Sequence, residues 1–99
     1  MHVISQKALW DFVDQHDDAK MPLRAWLKLV RLGKFQNLAE LKSTFASVDV
    51  VPVKGGNFYV FNIGGNKYRL RTAVHLNTQK LFVRHILTNS EYDKGQWKK

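Results

Sequence analysis

From Tyr68 onward, apolar and polar positions alternate. One set is Tyr68, Leu70, Thr72, Val74 and Leu76; the interleaved set is Lys67, Arg69, Arg71, Ala73 and His75. Successive side chains of a strand point to opposite faces. This spacing predicts a strand with one face on a core and the other bearing three cations and an imidazole. A preceding run, Asn57 to Ile63, puts Tyr59, Phe61 and Ile63 on one face. Gly55-Gly56, Gly64-Gly65-Asn66 and Asn77-Thr78 read as the turns that separate these strands from their neighbours. A last strand is expected from about Lys80 to Leu87.

The first half of the chain changes period. Leu9, Phe12, Val13 and His16 follow helical spacing from Gln6 to about His16, with Ser5 as the expected cap. Asp11 and Asp14 fall off that stripe. Pro22 suits the first turn of a second helix and Gly33 its end. That helix has an apolar stripe (Leu23, Trp26, Leu27, Val30) and a basic one (Arg24, Lys28, Arg31). Asn37 with Glu40 predicts a capping box for a short third helix carrying Leu41 and Phe45. Met1 to Ser5 reads as a short strand, and Val48 to Val53, around Pro52, as an edge strand or loop. The order is β-α-α-(α)-β-β-β with a short polar C-terminal tail. This is an α+β pattern, best satisfied by an antiparallel sheet with the N-terminal helices packed on one face.

A chain of 99 residues, 44% hydrophobic and 12% aromatic, is expected to fold as one domain over 1–99. No apolar run approaches a membrane span, and the start lacks a signal peptide's pattern. A cytoplasmic protein that does not engage a membrane is expected. The chain contains no cysteine, which removes disulfides and thiolate metal sites. No His pair sits at ligand spacing, so neither metal nor cofactor is expected.

Charge sharpens the picture. The net charge of +8 is unevenly spread, because residues 1–18 hold four Asp against one Lys. A basic domain of this size usually binds nucleic acid. Lys67, Arg69 and Arg71 recur at about 7 Å, close to the step between phosphates of an extended strand. Arg can grip a phosphate bidentately. The bland alternative is a solvated outer face. Arg84, His85, Asn89, Glu91, Tyr92 and Asp93 add polar groups of a catalytic kind, with Lys94 a further cation beside them. Strand parity separates Arg84 from His85, and parity alone leaves open which of them joins the basic row. Arg, Lys, His and Tyr together suit metal-free RNA cleavage. A base takes the 2′-OH proton, an acid protonates the leaving 5′-oxygen, and cations hold the phosphorane.

The run Val60-Phe61-Asn62-Ile63-Gly64-Gly65-Asn66-Lys67-Tyr68-Arg69-Leu70 resembles the signature of HigB toxins. Arg84 to Asp93 is similar to the segment that closes on that family's Thr-His-x-Glu-Tyr-Asp. Met1 to Leu9 and Pro22 to Trp26 carry further resemblance, so it covers nearly the whole chain. The resemblance implies a RelE-like toxin fold and an mRNA interferase, an endoribonuclease that cuts mRNA on the translating ribosome. It implies a cognate helix-turn-helix antitoxin of HigA type, with operator DNA contacted only through that antitoxin. By motif, Arg69 would contact the scissile phosphate and Tyr92 would take part in acid–base work. His85 has no strict counterpart. Lys67, Arg71, Arg84 and Lys94 would bind RNA.

Asn89 departs from the family pattern, which has His there. An amide cannot titrate. Three readings stand: the swap is harmless, another group such as His85 or Tyr92 carries the proton, or the chain is an attenuated form. Rival functions are a non-catalytic nucleic-acid-binding module and an interaction domain for an acidic partner.

Overall fold

A computed structural model describes residues 1–65 and 67–93. The elements are β1 (His2–Ile4), α1 (Lys7–Gln15), a 3-10 turn at Asp17–Ala19, α2 (Lys20–Leu32), α3 (Leu38–Thr44), β2 (Asp49–Val53), β3 (Gly56–Ile63), β4 (Tyr68–His75), β5 (Lys80–Thr88) and α4 (Asn89–Asp93). The five strands form one sheet in the order β1-β5-β4-β3-β2. β3 to β5 run as the expected antiparallel meander, and β2, which the sequence left open as an edge strand or loop, joins it as the edge strand beside β3. β1 adds itself in parallel to β5, pairing Val3 with Leu81.

The apolar stripes meet on one side of this sheet. Leu9 of α1 and Leu23, Trp26, Leu27 and Val30 of α2 are buried against Phe61, Ile63, Leu70, Leu81 and Val83. Apolar surface removed from water contributes roughly 25 cal/mol per Å², so the fit of these stripes is the main force closing the domain. Trp26 and Phe45 each meet Phe61 edge-on. Asn37 caps α3 by accepting from the Glu40 N–H at 2.9 Å, and the Glu40 carboxylate in turn accepts from the Gln36 N–H at 2.7 Å.

One local expectation is corrected and two are met. Ser5 does not cap α1. Its φ of +70° turns the chain out of β1, and the helix starts after Gln6 without a side-chain cap. Gly33 ends α2, as expected, in extended geometry; a Cβ added there would lie 2.3 Å from the buried Phe35 ring, which would have to shift. Gly64 and Gly65, at φ +65° and +70°, build the β3–β4 turn; the expected third member, Asn66, lies outside the described residues. Gln79 supplies a tie that no local pattern marks. Its side-chain amide donates to the Phe35 carbonyl at 2.6 Å and accepts from the Phe35 N–H at 3.1 Å, joining the β4–β5 turn to the loop before α3.

Lys67 also departs from its expected row. It precedes β4, and its ammonium lies 3.0 Å from Asp18 on the helical side. The Tyr68 hydroxyl donates to the other oxygen of the same carboxylate. These two bonds, the tyrosine's first, hold the Asp18 carboxyl below its ordinary pKa. The ionised form therefore stabilises the fold. That contribution is complete above the ordinary carboxylate range and is lost as pH falls through the lowered value. Asp18→Asn is thus expected to flatten the acid-side decline of the melting temperature, read from about pH 5 down to about pH 2. A decline as steep as in the parent chain would remove Asp18 from this role.

Candidate active site

The helices α1 to α3 leave the opposite face of the sheet uncovered for chemistry. The register across β2, β3, β4 and β5 aligns Asp49, Val60, Arg71 and His85 in one row, and Asn62, Arg69 and Leu87 in the next. A β-bulge decides the composition of this face. Thr72 pairs with Val83 but Arg71 pairs with His85, so Arg84 is the extra residue on β5. Without it, simple alternation would send His85 to the side of Leu81 and Val83, which is core. With it, His85 and Leu87 move to the side of Arg71 and Arg69. The bulge resolves what parity left open: His85 joins the basic row. Arg84 stands exposed at the bulge, its guanidinium 5.4 Å from the Phe82 ring centre.

This face is not a plain solvated surface. Arg71 is only 7% exposed and Val60 beside it only 1%. The Arg71 guanidinium lies 4.4 Å over the Phe58 ring and donates to Nδ1 of His85. Burial pushes the Arg71 pKa down, and the nearby Arg84 charge adds to the effect. The His85 ring is more exposed, yet its pKa is lowered too, first by partial desolvation and then by the charges of Arg71 and Arg84. A lowered histidine is neutral at physiological pH. Since Arg71 occupies Nδ1, the ring proton sits on Nε2 in this arrangement.

The second row carries Arg69 and Tyr92. The Arg69 guanidinium lies 5.7 Å from the Tyr92 ring centre, and its Nη1 is buried without a hydrogen-bond partner among the described residues. α4 brings Tyr92 back over the sheet. Thr88 and Glu91 close a capping box at its start. The Thr88 N–H donates to Glu91 at 3.0 Å, and the Glu91 N–H donates to the Thr88 hydroxyl at 3.2 Å. Glu91, grouped by sequence with the catalytic kind, is engaged in this cap. Burial raises the Tyr92 pKa, and Asp49 and Asp93 push the same way against Arg69. The phenol therefore stays protonated at neutral pH.

Asn89 follows Thr88, and its backbone N–H donates to the Lys67 carbonyl at 2.9 Å, extending the β4–β5 ladder by one residue. Its Oδ1 is buried without a hydrogen-bond partner among the described residues. Lys94 lies outside the described residues. Of the expected site residues, Arg69, Arg71, Arg84, His85 and Tyr92 thus share one face, whereas Lys67 is held at Asp18. Asp49 and Phe58 were missed. Phe58 was legible as the start of the outer set Phe58, Val60, Asn62. Asp49, one acid before an apolar run, gave no local signal. A cleft of ≈ 380 Å³ adjoins the site, walled by Asn57, Phe58, Ala73, His75 and Arg84. No group of three His, Asp or Glu among the described residues is placed to hold a metal.

Residues 19–95 match the model of the HigB toxin, described as the RelE-like toxic component of a toxin–antitoxin system. The chain belongs to the HigB toxin family. Its relatives include the mRNA interferase toxin HigB of Escherichia coli K12, 37% identical over 93 residues, or 94% of this chain and 88% of that one. The mRNA interferase HigB of Escherichia coli O6:H1 is 24% identical over 94 residues, covering 95% and 90%. As a HigB toxin the chain has an antitoxin for a partner. The HigB-like ending now has a physical reading. Thr88 and Glu91 are the cap that aims Tyr92, and position 89 is the first residue of the helix so capped.

Proposed function

We propose that this chain is an mRNA interferase that cleaves RNA by attack of a 2′-OH on the adjacent phosphorus. The observation that carries the reading is the Arg69–Arg71–His85–Tyr92 cluster on the face of the sheet opposite α1 to α3. The relatives named mRNA interferases support the substrate. We assign Arg69, whose Nη1 lacks a hydrogen-bond partner among the described residues, to the scissile phosphate. Arg71 would turn from His85 to the same phosphate, freeing Nδ1 of a neutral imidazole to take the 2′-OH proton. Tyr92, held protonated, would donate to the leaving 5′-oxygen. Arg84 and the cleft beside Phe58 would seat a flanking nucleotide, because aromatic and guanidinium planes stack on bases.

mRNA on the translating ribosome is the expected substrate, in the cytoplasm. The helix-turn-helix character of the antitoxin and operator binding through it belong to the same proposal. No helix among the described residues is long and apolar enough to cross a membrane. Cleavage in the presence of EDTA is expected to yield a 2′,3′-cyclic phosphate or 3′-phosphate on one fragment and a 5′-OH on the other. A 5′-phosphate product would sink the 2′-OH mechanism, and RNA binding without product would favour the non-catalytic module. With His85 and Tyr92 moving the protons, Asn89→His should raise cleavage by less than loss of His85 lowers it. A rise larger than that loss, in single-turnover assays, would move the proton-transfer role to position 89.

A further inference from the structure

Helix α2 carries more than its core stripe requires. Leu23, Trp26, Leu27 and Val30 account for its buried face. On its solvent side a second apolar stripe runs through Met21, Ala25, Leu29 and Leu32 at helical spacing. Met21, Leu29 and Leu32 are 69%, 48% and 75% exposed, and they are the large apolar side chains left exposed among the described residues. Beside this stripe run Arg24, Lys28 and Arg31, all exposed. Between α2 and α1 lies a groove of ≈ 400 Å³, floored by Trp10 and Leu27 and rimmed by those three cations and Leu32. One helix thus presents an apolar track, a parallel cationic track and a concave seat.

We propose that this face of α2 is the seat of an acidic amphipathic helical segment of the antitoxin. The inference rests on the chain's membership of a toxin–antitoxin family and not on the assignment of catalytic roles. Two complementary features must be matched at once. A nucleic-acid backbone would answer Arg24, Lys28 and Arg31 but leaves Met21, Leu29 and Leu32 in water. An anionic membrane offers charge and apolar depth, yet it is flat, whereas the Trp10–Leu27 groove is concave. A helix bearing leucine-like anchors at i, i+4 and i+7 with Asp or Glu on one flank satisfies both tracks. Because α2 packs on the helical side of the sheet, this seat lies across the sheet from Arg69, Arg71 and His85. Binding there and RNA cleavage are separable by mutation.

The test measures affinity of the full-length chain for its co-encoded antitoxin by calorimetry at low and physiological salt. Arg24→Glu/Lys28→Glu/Arg31→Glu is expected to weaken binding on the order of 100-fold or more, as loss and reversal of interfacial charge pairs does. Leu29→Ser/Leu32→Ser should weaken it about tenfold with the salt dependence retained, since only apolar contact is removed. Both sets lie on exposed positions, and circular dichroism reports the fold. The milder Arg24→Gln/Lys28→Gln/Arg31→Gln variant serves if charge reversal unfolds the chain. RNA cleavage by each free variant is assayed in parallel and should match the parent. A parent chain that binds the antitoxin but cleaves no RNA would fail the nuclease reading alone. Antitoxin affinity within twofold of the parent in both sets overturns the proposal. So does a triple charge variant that keeps antitoxin affinity but loses binding to ribosomes or to phosphatidylglycerol vesicles.

Discussion

Arg69→Ala is expected to slow RNA cleavage by about 10²–10³-fold, the usual consequence of losing one preorganised donor at a developing charge. The effect should appear in the chemical step. Arg69 sits in the middle of the sheet, paired with Asn62 on one side and Leu87 on the other, so its backbone is fixed on both edges. Its Nη1 is already out of water and has no hydrogen-bond partner among the described residues. A donor in that state has paid its desolvation before substrate arrives, and a phosphate oxygen completes it. Arg69→Lys should recover little, because an ammonium cannot reproduce the planar fork. Single-turnover cleavage at saturating ribosomes isolates this step. An unchanged rate with an intact fold would show that the central strand is not the reacting centre. Arg84→Ala, by contrast, removes an exposed cation at the bulge. It should chiefly weaken RNA binding and reduce its salt dependence by about one phosphate contact.

The elements of this fold were legible because their signals are local. The four-residue stripe of α2 and the two-residue alternation of β3 and β4 each name a partner face, and those faces meet. The Asn37–Glu40 box and the Gly64–Gly65 turn are stereochemical necessities written in adjacent residues. What escaped were features set by distant residues. β1 is three residues long, and nothing within His2–Ile4 says that it pairs in parallel with a strand that begins at Lys80. Lys67 has the right parity for the basic row, yet Asp18, far away in sequence, holds its ammonium on the other side.

The site shows the same division. Arg69 and Arg71 were legible from alternation, whereas the position of His85 depended on one extra residue. A bulge costs a ladder bond and carries no apolar or polar mark, so the parity of β5 breaks at Arg84 without warning in the sequence. The Thr88–Glu91 pair was present in the sequence as a capping box. Its signal is masked because Glu91, beside Tyr92 and Asp93, resembles a catalytic acid. Its carboxylate instead satisfies the Thr88 N–H at the start of α4, and the helix it starts delivers Tyr92 to Arg69.

His85→Gln is expected to lower the cleavage rate by about 10²–10⁴-fold, the span of a positioned acid or base. The glutamine keeps a carbonyl that can accept from Arg71, so the pairing that orders this part of the face survives while titration is lost. The pH profile separates a proton carrier from a structural residue. Partial desolvation and the charges of Arg71 and Arg84 hold the His85 pKa below the ordinary histidine range. The active, neutral form is therefore complete at neutral pH and is lost only as pH falls through that lowered value. The parent chain should show an acid limb below the usual histidine titration and a plateau through neutrality. On the alkaline side the rate should hold until Tyr92, raised by burial, begins to ionise. His85→Gln should abolish the acid limb and leave the alkaline one. Removing the Arg84 charge by Arg84→Gln should shift the acid limb upward, because one of the two cations that disfavour imidazolium is gone. The measurement is single-turnover cleavage across pH with all three chains. An acid limb that persists in His85→Gln would assign it to another group and leave His85 as a partner of Arg71 alone.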